Sequence, residues 1–265
     1  MKNFIVTTTR KPDPAMENFA AEISSRLGGR LVARADNSFD ALRKIYGAEN
    51  ILLVKKNSLS VVTGEGELFF HPNTAHLRIK NLRGGEGDRL IDALKISAGS
   101  KVLDCTLGLG SDAIVESFIA GAAGKVVALE INPLIAEVVR HGLKNFSEDS
   151  PHVLEAMRRV EVLNVDCEKF LATCVENSFD VVYFDPMFRR PIQKSSGLSP
   201  IRPLADARPL TEEIIREARR VAKFRVVMKE HSGSAEFARL GFKILGGGKY
   251  SSVAFGAIDK DYCRV

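Results

Sequence analysis

Val102-Leu103-Asp104-Cys105-Thr106-Leu107-Gly108-Leu109-Gly110-Ser111-Asp112-Ala113 decides how this chain folds. An apolar run ends in an acid, passes through a turn holding two glycines and opens into a helical pattern. That is the join between a strand and a helix at the carboxyl edge of a parallel sheet, the edge where such folds bind ligands. Gly108 and Gly110 let the backbone approach a ligand closely. Asp104 can accept a hydrogen bond from that ligand, or from backbone amides that shape the turn around Thr106.

Three further strand ends work outward from this turn. Residues 125–130 read as a strand ending in Glu130, twenty residues after Gly110. Two strands ending side by side place Glu130 where a ribose would lie, and one carboxylate can accept from both ribose hydroxyls. Residues 160–164 form the next strand, followed by Val165-Asp166-Cys167. There Asp166 is placed to accept from an adenine amino group with Cys167 beside the ring; it serves equally as the N-cap of a helix from Glu168. A fourth apolar strand delivers Asp185-Pro186-Met187-Phe188 to the same edge. An amino group conjugated to a base is a poor nucleophile. The Asp185 carboxylate and the Pro186 carbonyl can accept its N–H bonds, and Phe188 can stack on the base.

The rest of the chain supplies the frame. Hydrophobic spacing predicts strands at 4–9, 31–33, 51–54, 59–62 and 68–70, with helices at 16–27 and 41–46, the second capped by Ser38. They make a small α/β domain over residues 1–75. A glycine-rich bridge at 83–88 leads to a helix at 89–94 and into a second domain over 76–265. Helices at 112–120, 133–143, 168–175 and 211–221 alternate with the strands at 101–105, 125–130, 160–164, 180–184 and 225–229. Repeated βα units imply a doubly wound, mostly parallel sheet. Strands at 242–245 and 252–257, joined by Gly246-Gly247-Gly248, close it as an antiparallel hairpin.

Asp185-Pro186-Met187-Phe188 resembles the D-P-P-Y signature of methyltransferases that act on exocyclic amino groups. Together with Gly108-Leu109-Gly110-x-Asp112-Ala113, Gly84-Gly85-Glu86-Gly87 and Arg225-Val226-Val227-Met228-Lys229, it resembles the bacterial J-type small-subunit rRNA guanine-N2 methyltransferase family over about residues 76–232. The resemblance implies a class I methyltransferase with a Rossmann-like sheet and S-adenosylmethionine as cofactor. It implies that Ser111-Asp112, Glu130-Ile131, Asp166 and Asp185 line that cofactor, beside the turn of Asp104, Thr106, Gly108 and Gly110, and that the substrate is RNA, in rRNA or a ribosomal subunit. The chain departs from the family in having Ser111 in place of an arginine and Arg189 in place of a proline.

Composition narrows the function classes. A net charge of +5 and a pI near 9.0 favour an anionic partner. The segment from Arg189 to Pro203 is basic, proline-rich and long for a connection; Arg189, Arg190, Lys194 and Arg202 suit RNA phosphates. Four cysteines without C-x-x-C spacing argue against zinc and disulfides and fit a reducing cytoplasm. No metal spacing, signal peptide or membrane span is expected. Gly108-x-Gly110-x-x-Ala113 also matches a dinucleotide fingerprint, which keeps a nicotinamide-dependent oxidoreductase open. The residues inserted between Asp104 and Gly108 argue against it, since dinucleotide turns usually take glycine straight from the strand, and Asp104 would sit poorly beside a pyrophosphate. The same sheet also suits a methyltransferase acting on tRNA, protein or a small molecule, or a non-catalytic RNA-binding module, because fold does not fix substrate.

Overall fold

The computed structural model describes residues 3–187, 201–245 and 251–260. Two compact units emerge. Among the described residues the first holds 3–71, 132–147 and 201–205, and the second holds 72–131, 148–187, 206–245 and 251–260.

The first unit is a five-stranded sheet in the order β2-β1-β3-β4-β5. Its strands are β1 (Phe4–Thr8), β2 (Arg30–Leu31), β3 (Asn50–Val54), β4 (Leu59–Thr63) and β5 (Gly66–Phe69). β1 runs parallel to β2 and β3, and β3, β4 and β5 form an antiparallel meander. Helices α1 (Pro14–Leu27) and α2 (Phe39–Tyr46) are capped by Asp13 and Ser38, whose side chains accept from Met16 N and Ala41 N. Both stop at a left-handed glycine, Gly28 and Gly47. Ile5, Leu42, Ile51 and Leu53 are buried together where α2 packs on the sheet. Helix α6 (Pro133–Asn145) also belongs to this unit and packs on β4. The cause is its apolar face, with Leu134, Ile135, Val138, Val139 and Leu143 buried. The first unit therefore extends beyond the segment 1–75 that the sequence marks out.

The second unit is a seven-stranded sheet in the order β11-β12-β10-β9-β6-β7-β8. The strands are β6 (Lys101–Asp104), β7 (Lys125–Glu130), β8 (Val160–Asn164), β9 (Phe179–Phe184), β10 (Ala222–His231), β11 (Lys243–Ile244) and β12 (Val253–Asp259). Pairing from β8 through β10 is parallel throughout, and β12 lies antiparallel between β10 and β11. This is the doubly wound sheet with an antiparallel hairpin that the sequence implies. Helix α5 (Ser111–Ala120) packs on β7, while α8 (Cys167–Thr173) and α9 (Glu212–Val221) cover a core of Leu103, Val127, Val182, Phe184 and Val226. α4 (Arg89–Leu94) starts at Asp88, which accepts from Leu90 N and Ile91 N, and α10 (Glu236–Arg239) is a single turn.

Two helices stand where the pattern reading leaves connections: α3 (Asn73–Arg83) and α7 (Pro151–Arg159). α3 has no side-chain cap and buries only Ala75 and Ile79. α7 opens on a proline after an uncapped Ser150 and buries Val153, Ala156 and Met157 against the rest of the unit. β10 is also longer than its apolar centre, because its ends pair with β12 out to His231.

One contact in the first unit gives a direct test. A Cβ built on Gly142 of α6 would lie 2.1 Å from Phe70 Cγ, and Phe70 is buried against Phe146. Gly142→Ala should destabilise the protein by about 1–3 kcal/mol through overpacking. Urea unfolding measures this, and Phe70→Leu in the same chain should recover part of the loss.

Candidate functional site

The β6–α5 turn is shaped from inside by Asp104. Its Oδ1 accepts from Thr106 N at 2.9 Å and from Thr106 Oγ1 at 3.3 Å. Of the two roles open to this acid, the structure shows the one of shaping the loop. Its Oδ2 is buried with no hydrogen-bond partner among the described residues. Burial, added to by the Asp112 and Asp185 charges, pushes this carboxyl up to about 7 against the pull of Thr106. Gly108 and Gly110 take φ of +51° and +79°, the left-handed region that favours glycine. Gly110 is the N-cap of α5. Among the described residues nothing crowds a Cβ at Gly108, whose nearest neighbour would be Thr106 O at 3.9 Å. Glycine is needed there for backbone conformation, with the space above the turn left open.

Thr106 ties this turn to the fourth strand end. Its hydroxyl accepts from Asp185 N at 2.6 Å while donating to Asp104. The Asp185 carboxylate is held by Lys229 Nζ at 2.7 Å. The same ammonium donates to Asp112 Oδ2 at 3.1 Å, and Tyr183 Oη donates there at 2.9 Å. Arg78 Nη1 takes Asp112 Oδ1 at 2.5 Å, and Arg78 grips Asp88 with two further nitrogens at 2.7 and 2.8 Å. Asp112 thus has protein donors on both oxygens, so its observed work is to anchor Lys229 and Arg78. Burial raises Asp185 to about 6, with Lys229 opposing and Asp112 adding to the rise. One helical turn beyond Asp112, Glu116 is fully buried with both oxygens unpartnered among the described residues. Burial raises it well above the ordinary range, which keeps it neutral.

The other strand ends complete the edge. Glu130 is buried at the end of β7, where Asn164 Nδ2 donates to the carbonyls of Glu130 and Ile131. Asp166 caps α8, accepting from Glu168 N at 2.9 Å, and its Oδ2 takes Arg208 Nη2 at 2.8 Å. Arg208 is itself clamped by Asp206. Cys167 is half-buried, and burial lifts its thiol to about 11. Ser111 is half-buried at the start of α5. A narrow recess beside Pro186 is lined by Met187, Leu210, Met228 and Glu230.

Asp104, Thr106, Gly108, Gly110, Ser111, Asp112, Glu130, Ile131, Asp166, Cys167, Asp185 and Pro186 therefore all lie in the second unit, at the carboxyl ends of β6 to β9. Arg202 is half-buried in the first unit. Phe188, Arg189, Arg190 and Lys194 lie outside the described residues. Arg78, Lys229, Tyr183 and Arg208 carry the network without having stood out as site residues. The sequence signal for Lys229 is a cation following the apolar run Val226-Val227-Met228.

The model of the family described as "Putative SAM-dependent methyltransferase" matches residues 42–240. This chain belongs to that family. The methyltransferase is 39% identical over 242 residues to the uncharacterized protein YpiP of Bacillus subtilis, covering 91% of this chain and 94% of that one. A protein of Coxiella burnetii named ribosomal RNA small subunit methyltransferase J is 33% identical over 168 residues, 61% of this chain and 62% of that one. The chain thus spans less than two thirds of that relative. A crystal structure of a SAM-dependent methyltransferase from Neisseria gonorrhoeae shares the fold, with a TM-score of 0.59 at 19% identity over 95% of this chain and 94% of the other. The cofactor of the methyltransferase is S-adenosylmethionine, and the dinucleotide reading of the glycine turn falls. Among the described residues no helix is long and apolar enough to cross a membrane, and no group of three His, Cys, Asp or Glu side chains could hold a metal.

The site's acids set a pH dependence. Asp104 and Asp185, at about 7 and about 6, and Glu116, raised further, bind more protons in the folded protein than in the unfolded chain. Stability should therefore fall as pH rises from about 4 through about 7. His141, lowered by burial, works the other way near its ordinary 6.5. Urea midpoints at several pH values should show the fall, and Asp104→Asn should flatten it. An unchanged slope in that variant would show that Asp104 does not titrate in this range.

Proposed function

We propose that the methyltransferase acts on an exocyclic base amine in RNA, most specifically N2 of guanine in rRNA, in the cytoplasm. The observation that carries this reading is Asp185 at the end of β9, its carboxylate held by Lys229 and its backbone N–H by the Thr106 hydroxyl, with Pro186 directly after it. The relative named for ribosomal RNA supports the substrate class.

The residues at the strand ends fit S-adenosylmethionine. Its sulfonium and ammonium suit an edge rich in carboxylates, and Asp104 Oδ2 is a buried acceptor awaiting a donor. In this reading Asp104, Thr106, Gly108, Gly110, Ser111 and Asp112 form the turn beneath the cofactor's amino-acid end. Glu130 and Ile131 hold the ribose. Asp166 and Cys167 meet the adenine, with Arg208 giving up one Asp166 oxygen to the adenine amino group. The bound cofactor supplies an electrophilic methyl group.

The protein's part is positioning and proton handling. Asp185 Oδ1 and the Pro186 carbonyl accept the two N–H bonds of the amine, aiming its lone pair and removing much of the entropic barrier. Lys229 keeps Asp185 ionised, and so an acceptor. As the nitrogen gains the methyl it sheds one proton, to Asp185 or to water; no strong base is required. Phe188 stacks on the base, drawn from a single-stranded region or flipped out of a helix. Arg189, Arg190, Lys194 and Arg202 contact phosphates.

Asp185→Ala should cut kcat by about a hundredfold or more while cofactor affinity changes little. Methyl transfer to rRNA lacking its modifications, followed by nucleoside analysis, provides the measurement; a product methylated on carbon or ribose oxygen would reject the mechanism. The acid limb of kcat/KM should sit near the Asp185 value of about 6, and Lys229→Met should move it to higher pH because the opposing cation is gone. Glu130→Ala should weaken the cofactor by about 2 kcal/mol, the scale of a hydrogen bond to a charged group, as calorimetry would record.

A further inference from the structure

The first unit contains a groove of about 610 Å³ between α1, α6 and the β3–β4 turn. Its chemistry is uneven. Lys55 and Lys56 come from the turn, Arg140 and Lys144 from successive turns of α6, and Arg26 from α1. Lys56 and Lys144 are exposed. Of the acids in its wall, Asp13 is spent on the α1 cap, accepting from Met16 N at 2.8 Å. Glu137, only 4% exposed, lies between Arg26 at 2.7 Å and Arg140 at 2.9 Å. One buried carboxylate therefore holds two guanidinium groups from two helices side by side, and the bracket stays net positive. Lys55 is balanced by Glu67, and Glu22 is exposed at the rim.

An aromatic surface accompanies these cations. Phe19 of α1 is half-buried, with its ring 5.3 Å from the His141 ring and tilted by 36°. Burial lowers His141, so at neutral pH it offers an uncharged ring. Cations that track a backbone beside a ring that can take a base are the two elements of single-strand recognition. The volume lies within the range of about 300–1,000 Å³ usual for small-ligand sites, suiting a nucleotide of a single strand rather than a duplex.

We propose that this groove binds single-stranded RNA of the substrate, with a base on Phe19 and His141 and phosphates on Lys56, Lys144 and the Arg26–Glu137–Arg140 bracket. This rests on the RNA reading given under Proposed function and assigns a role to the first unit. The two lysines act through charge and the ring through stacking, so they separate experimentally.

The test uses the full chain, a short fluorescein-labelled single-stranded RNA of rRNA sequence and the matching duplex, titrated over a range of salt concentrations. Calorimetry with S-adenosylhomocysteine checks that each variant keeps a folded cofactor site. Lys56→Ala/Lys144→Ala should weaken single-strand binding and lower the salt slope by about 1.4, at about 0.7 per phosphate contact. Phe19→Leu should weaken binding about tenfold, the scale of one stacked base, with the slope unchanged. Ultraviolet crosslinking should mark peptides of α1 and α6. Wild-type affinity and slope in both variants, or equal loss on the duplex, would overturn the groove. If the wild type methylates RNA and the groove variants match it, the groove assignment alone fails. If the wild type neither binds nor methylates any RNA, the substrate reading fails and this one with it.

Discussion

A lysine ammonium 2.7 Å from Asp185 and 3.1 Å from Asp112 joins three parts of the second unit: the tail of β10, the first turn of α5 and the end of β9. Removing one member of such a half-buried network leaves its partners as uncompensated charges, which costs far more than the pair contributes. Arg78 extends the constraint to Asp88, the cap of α4. The cluster holds Asp104, Asp112, Glu116 and Asp185 against Arg78 and Lys229. The excess acid is accommodated by protonation, as the raised values of Asp104 and Glu116 show. A cation brought to this edge would relieve the same excess in another way, which is the electrostatic ground for the cofactor site proposed above.

What could be read from the sequence follows the range of the interactions. The β6–α5 turn, the acid at the end of β7 and the Asp-Pro motif after β9 declare themselves within a dozen residues, through apolar runs that stop at an acid or a glycine. So does the terminal hairpin, since its strands are close in the chain. Lys229 and Arg78 do not, because they reach Asp112 from 117 and 34 residues away with long side chains. Arg78 has no local mark to distinguish it from a solvated cation, and Lys229 has only its place after the apolar run Val226-Val227-Met228. α3 and α7 escape for a different reason: both are short and lean on tertiary packing, and α7 shows only Ser150-Pro151 as a local start signal.

Asp166 bears out its capping reading and is engaged on its other oxygen as well. It caps α8 with one oxygen, as any aspartate before a helix can, and faces Arg208 with the other. The Arg208 pair means that a ligand at this strand end meets an acid already engaged, so the affinity for that ligand is a difference between two hydrogen-bonded states. Asp104 differs, with Oδ1 serving the turn and Oδ2 without a partner among the described residues.

Helix α6 has a topological consequence. The chain follows β7 of one sheet directly into a helix that packs on β4 of the other, and returns for β8. The N-terminal unit is thus interrupted, and cannot be excised or exchanged as a cassette at a single cut. Trimming the first 71 residues would strip Leu134, Ile135, Val138 and Val139 of the sheet they pack on, leaving an apolar ridge in the middle of the truncated product. A chimaera joined only at residue 71 is therefore an aggregation hazard by construction.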